Sequence, residues 1–111
     1  DLIINKEIYD LTKTNSYSIE DAHIANDSLY FTLISSGCDG SSWIAKLIDS
    51  GSIAESYPVQ RFAKISLENE ELCDALPSKS FAIHLAPLKT SEDKIIINLE
   101  GWESQLLYEI N

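Results

Sequence analysis

The chain has 111 residues, 44% of them hydrophobic, with 18 acidic against 8 basic side chains and a formal net charge of −10. That length suits one domain, residues 1–111, able to bury roughly two-thirds of the surface its unfolded chain exposes, so a core stands without extra cross-links. The scattered cations argue against a nucleic-acid or anionic-membrane partner, both of which need clustered Lys and Arg, and the acidity serves solubility.

Leu2, Ile3 and Ile4 with Ile8 and Tyr9 make a β-prone opening that the polar stretch from Thr12 to Ser16 closes. From Tyr17 to Ala25, Ala22 and Ile24 share one face while Asp21 and His23 share the other. Asn26 and Asp27 are a turn pair. The strand from Ser28 to Ser35 follows, with Leu29, Phe31 and Leu33 on one side, and the two segments read as a hairpin. The sequon Asn26-Asp27-Ser28 is explained by this turn.

Ser36 to Ser42 is a loop by composition. Trp43, Ala45 and Leu47 alternate with Ile44, Lys46 and Ile48 in the next strand, and Asp49-Ser50-Gly51-Ser52 reads as a turn. Tyr57-Pro58 introduces a longer strand, and Pro58, lacking an amide proton, belongs at its start or on an edge. Asn69 to Leu76 is the one stretch with helical character, a turn or two that Asn69 caps, or else an irregular loop. Ser80 to Ala86, Lys94 to Leu99 and Gln105 to Ile110 return to period two, the last two separated by a turn at Gly101. Seven or eight evenly spaced strands with no long helical period predict an all-β fold, an antiparallel β-sandwich, immunoglobulin-like in a loose sense, with at most one short helical turn.

Cys38 and Cys73 stand at loop positions next to strands. They lack the Cys-x-x-Cys and four-ligand spacings of redox and zinc sites. A disulfide is the favoured reading over two buried thiols or a thiol nucleophile, and it argues for an exported protein. No catalytic residue is assigned. His23 and His84 fall on the more polar faces of their strands, and no Gly-x-Ser-x-Gly elbow appears. Asp39, Asp49, Glu68, Glu70, Glu71 and Asp74 lie in loops that a sandwich could gather around calcium, yet no Asp-x-Asp-x-Asp-Gly loop is present, so no metal site and no cofactor are assigned. Trp43 shares a face with Ala45 and Leu47 and belongs to the core. Trp102 and Tyr57 are the candidates for stacking on a ligand such as a sugar ring.

No segment reaches the roughly 18 apolar residues that span a bilayer. No basic, apolar leader opens the chain, which starts at Asp1 as a trimmed mature domain would.

Several short motifs occur together: Ser36-Gly37-Cys38, Pro58-Val59-Gln60, Cys73, Leu85-Ala86-Pro87-Leu88, Leu99-Glu100-Gly101-Trp102 and Leu107-Tyr108-Glu109-Ile110. In this arrangement, over roughly residues 17–110, the chain resembles a group of small exported lipoprotein domains of bacteria. It departs from them at Ser41-Ser42, where they carry His or acidic residues. The resemblance implies a disulfide-linked β-sandwich, export to the periplasm or an outer-membrane anchor, and a lipid attached upstream of Asp1. It implies no activity. The expected role is a non-catalytic cell-envelope accessory or binding domain, with an envelope protein or glycan as partner. A calcium-dependent structural or glycan-binding module is the alternative, and a small hydrolase comes third.

Overall fold

Alternation builds the strands as expected in a computed structural model that describes residues 1–110. They are β1 (Leu2–Ile4), β2 (Ser18–Ala25), β3 (Ser28–Ile34), β4 (Ile44–Ala54), β5 (Val59–Glu68), β6 (Ser78–His84), β7 (Lys94–Leu99) and β8 (Leu106–Glu109). The fold is all-β, with a five-stranded sheet in the order β1-β4-β5-β7-β8 facing a three-stranded sheet in the order β2-β3-β6. Leu29, Phe31 and Leu33 from the small sheet meet Leu47, Ile65, Ile95, Ile97 and Tyr108 from the large one, all at or near zero exposure. Each fully buried side chain of this kind contributes about 1.5–3 kcal/mol. Trp43 joins that core, and the strands apolar on both faces, β4 and β7, are interior to the large sheet.

Two ladders are parallel, where the sequence predicts an antiparallel sandwich: Leu2 pairs with Leu47 in β1–β4, and Val59 with Ile95 in β5–β7. The β5–β7 pair separates the large sheet from the wholly antiparallel sheets of immunoglobulin domains. Period-two patterning records which face a residue takes and not which way its neighbour runs, so it carried no sign of this.

The opening segment also differs. Asn5 stops the strand: its side-chain oxygen accepts the Ile8 amide at 2.9 Å and caps a helix, α1 (Lys6–Leu11). Lys6 and Asp10 pair at 2.7 Å one turn apart along it. Ile8 and Tyr9 are therefore helical. The helix packs on β4, on the outward face of the large sheet, where Ile48 and Lys64 are register partners. The Lys64 ammonium donates to the Tyr9 and Thr12 carbonyls at 2.9 and 3.2 Å, supplying a cation to the carbonyl end of the helix.

Asp49 to Ser52, expected as a turn, runs inside β4 as a bulge. Asp49 pairs with Ala63, the next paired residue is Ile53, and Gly51 takes a φ of +80° between them. Asp49, the last residue in register before the bulge, points inward by ordinary alternation with Leu47, and both its carboxylate oxygens accept hydrogen bonds from Arg61, from Nε at 2.9 Å and from the terminal nitrogen at 3.0 Å. The Asp49 side chain is wholly inaccessible and that of Arg61 is 9% exposed.

That pair lies within the large sheet; a different polar contact joins the two layers. The buried Tyr108 hydroxyl of β8 donates to the Asp27 carboxylate at 2.7 Å in the β2–β3 turn, where Asn26 adopts a φ of 55°. Burial, reinforced by this carboxylate, pushes the Tyr108 hydroxyl up to about 12.

Candidate functional site

Cys38 and Cys73 form a disulfide, with Cα atoms 4.8 Å apart. The segment from Asn69 to Leu76 that carries Cys73 is a loop and not a helix, because its side chains are engaged across the loop before β4. Asn69 Nδ2 donates to the Ser36 carbonyl at 2.7 Å. The Glu71 carboxylate accepts the amides of Cys38, Gly40 and Ser42 at 2.8, 3.0 and 3.2 Å and the Ser42 hydroxyl at 2.7 Å. The Ser42 hydroxyl and these amides hold the Glu71 carboxyl down at about 2. Gly37 is required beside it: a Cβ there would stand 2.8 Å from Glu71 Oε1. The nearby Trp43 Nε1 is buried with no hydrogen-bond partner among the described residues.

Because the folded value of Glu71 lies below its ordinary 4.5, its ionised form stabilises the fold fully above that value, and the benefit is lost as pH falls towards about 2. Glu71→Gln is accordingly expected to melt below the parent protein at pH 7, with the gap closing between about pH 5 and pH 2. Thermal unfolding across that range checks it, and a pH-independent gap would contradict the assignment.

The other acids named in the sequence do not converge. Asp49 is committed to Arg61 and Glu71 to the loop amides, and no cluster of three His, Cys, Asp or Glu side chains exists among the described residues. His23 bonds Asp21 at 2.9 Å and stacks on Tyr30, all three on the exposed outward face of the small sheet. His84 is exposed at the end of β6. Neither histidine has a hydroxyl or thiol nucleophile within hydrogen-bond reach among the described residues.

Trp102 and Tyr57 lie at opposite ends of the parallel β5–β7 ladder and do not form one platform. Tyr57, 67% exposed, precedes β5, and its hydroxyl donates to Asp93 at 2.8 Å. Trp102 follows β7, half-buried, with its amide bonded to the Leu99 carbonyl at 3.1 Å. Around Trp102 there is a groove of about 240 Å³ whose lining includes Tyr9, Phe62, Asn98, Glu100 and Gln105. Its aromatic rings come from three separate elements: helix α1, strand β5 and the β7–β8 turn. The turn is held in place by the Glu100 amide, which donates to the Ala63 carbonyl at 2.9 Å, and by Thr14, whose hydroxyl donates to the Glu100 carboxylate at 2.7 Å. The outward amides are locked to one another. Asn98 donates to Gln60 at 3.0 Å, and Gln105 donates to Asn98 at 3.0 Å and to Gln60 at 3.2 Å. Burial, and then the Glu100 carboxylate, raises the Tyr9 hydroxyl, which stays protonated at neutral pH.

Sequence reasoning found Trp102 but not its neighbours. Asn98 was the available signal, a polar residue on the outward face of an isoleucine-rich strand. Tyr9 was hidden by the strand reading of its segment.

The disulfide fits an oxidising, extracytoplasmic compartment. No helix among the described residues is long and apolar enough to cross a membrane. No family model and no curated protein matches the chain. Among solved structures it is similar to a protein of unknown function, DUF1344, from Bacteroides vulgatus ATCC 8482, with 14% identity and a TM-score of 0.62. The match covers all of this chain and 56% of that one, so what the two share is a fold, and this chain spans little more than half the length of its neighbour.

Proposed function

We propose that the protein is a non-catalytic binding domain working outside the cytoplasm, at the bacterial cell envelope, and that its ligand sits in the groove beside Trp102. A lipid anchor upstream of Asp1 belongs to the same reading and rests on the resemblance of the sequence motifs. The observation that supports the binding role is the groove itself: aromatic side chains from three elements converge with locked amides on the outward face of a rigid sheet. A few oriented polar groups among aromatic walls are what small-ligand sites commonly present.

The test is a thermal-shift and tryptophan-fluorescence titration against a panel of oligosaccharides and peptides, run on the parent protein and on Trp102→Ala. A saturable response that the variant loses is expected, with the variant still folded by circular dichroism. A response of equal size in the variant would move the site elsewhere, and turnover of any panel member would overturn the non-catalytic reading.

A further inference from the structure

The groove beside Trp102 is specific in its chemistry as well as its shape. We infer that it takes a single uncharged sugar ring, stacked on Trp102 and held through its hydroxyls by Tyr9, Glu100, Glu103 and Gln105. This rests on the binding role proposed for the groove and deepens it by naming the ligand class.

Size is the first argument. About 240 Å³ lies below the roughly 300–1,000 Å³ of sites for drug-sized molecules, so the groove suits one ring and not an extended ligand. The second is the state of its hydrogen-bonding groups. The amide donors of Gln105 are both spent, on Asn98 and Gln60, and those of Asn98 are spent on Gln60 and the Arg61 carbonyl. What remains is the Gln105 side-chain oxygen, an acceptor fixed in direction by those bonds. Glu100 keeps one carboxylate oxygen, Thr14 having taken the other, and Glu103 keeps both among the described residues. The ligand must therefore bring several donors. The Tyr9 hydroxyl, with no protein partner among the described residues, adds one group that gives as well as accepts. Vicinal hydroxyls on a ring with an apolar face match this set.

Charge is the third argument. Among the described residues two carboxylates and no Lys or Arg line the groove. Lys64 stands behind it, its ammonium 4.4 Å from the centroid of the Tyr9 ring and spent on the Tyr9 and Thr12 carbonyls. On a chain of net charge −10 a uronate or sulfated ring therefore meets repulsion that no lining cation offsets. A simple amine would use the carboxylates, but both are exposed, where such attraction is screened at physiological salt, and it would leave the Gln105 and Tyr9 groups unmatched.

Chemical-shift titration of the ¹⁵N-labelled protein with the methyl glycosides of glucose, galactose, mannose and N-acetylglucosamine tests this, against glucuronic acid, lysine amide and a proline-rich peptide. At least one neutral glycoside is expected to shift the Trp102 indole and Gln105 amide signals saturably. Glucuronic acid is expected to bind roughly 10-fold or more weakly. Trp102→Ala is expected to abolish the shifts, and the exposed change Gln105→Ala to weaken binding by roughly 2- to 10-fold without altering the fold. Equal binding of glucuronic acid, or shifts at these signals from the amine or the peptide alone, would overturn the sugar assignment while leaving a binding groove. If no probe shifts these signals, the sugar assignment falls; if the panel response also survives in Trp102→Ala, the groove itself falls.

Discussion

Asp49→Ala is expected to destabilise the protein by about 3–5 kcal/mol, a large share of the stability of any small domain. The magnitude follows from what is left behind. Arg61 would keep its position on the inner face of β5, 7% exposed, with its Nε and terminal nitrogen stripped of both carboxylate oxygens. A buried charge without a partner costs several kcal/mol, whereas an intact pair does little more than offset its own desolvation. Two consequences separate this account from a general effect of mutating the core. A double change that removes both charges, Asp49→Leu with Arg61→Met, should recover most of the lost stability. Asp49→Asn should fall between parent and alanine variant, since its amide oxygen still accepts one guanidinium bond. Urea unfolding of the four proteins measures all of this. A double variant as unstable as Asp49→Ala would mean that the bulge at Asp49, and not the unpaired cation, sets the cost. The Gly51 amide, which donates to Asp49 at 2.8 Å, is the contact that would then be responsible.

Removing the disulfide by the double change Cys38→Ser and Cys73→Ser is expected to cost about 3–4 kcal/mol, the chain-entropy value for a closed loop of this length. The bridged residues are 35 apart in sequence. The native loop should nevertheless keep its shape, because Asn69 and Glu71 tie the same two segments by hydrogen bonds, and Gly37 and Ala75 exchange backbone bonds at 3.2 and 3.1 Å. The loss therefore falls on the unfolded ensemble, which gains freedom, more than on the folded loop. Unfolding midpoints with and without reductant report the size of the effect, and the amide signals of Cys38, Gly40 and Ser42 report the shape. Alkylation of two thiols in the untreated parent protein would contradict the bridge outright.

The layers of this fold were readable from the sequence because side-chain alternation is a direct consequence of strand geometry. Leu29, Phe31 and Leu33 point inward for the reason that Tyr30 and Thr32 do not. Where the reading failed, a polar side chain turned the backbone aside. Asn5 converts a β-prone segment into a helix through one capping bond. The Asp49–Ser52 segment carries the composition of a turn, but its Asp49 serves Arg61 and its Gly51 serves a bulge. At Asn69 to Leu76, where the composition allows either a helical turn or an irregular loop, the loop forms because the Asn69 and Glu71 side chains are spent on a segment about thirty residues earlier. In each case the competing partner is distant in sequence or the local signal is shared by two structures. The candidate groove was half readable for the same reason. Trp102 stands out beside Gly101 and Asn98 precedes it on β7, but its companions Tyr9 and Phe62 are brought to it only by the docking of α1 and the pairing of β5 with β7.

The order of strands has one more result. The polypeptide passes from one layer to the other at four connections, after β1, β3, β5 and β6. Any continuous piece that contains the whole small sheet must also contain β4 and β5, and neither layer can be cut free with its strands complete. The two layers are stitched by a single thread, so loosening one pulls on the other, and the molecule is built to open in one concerted event.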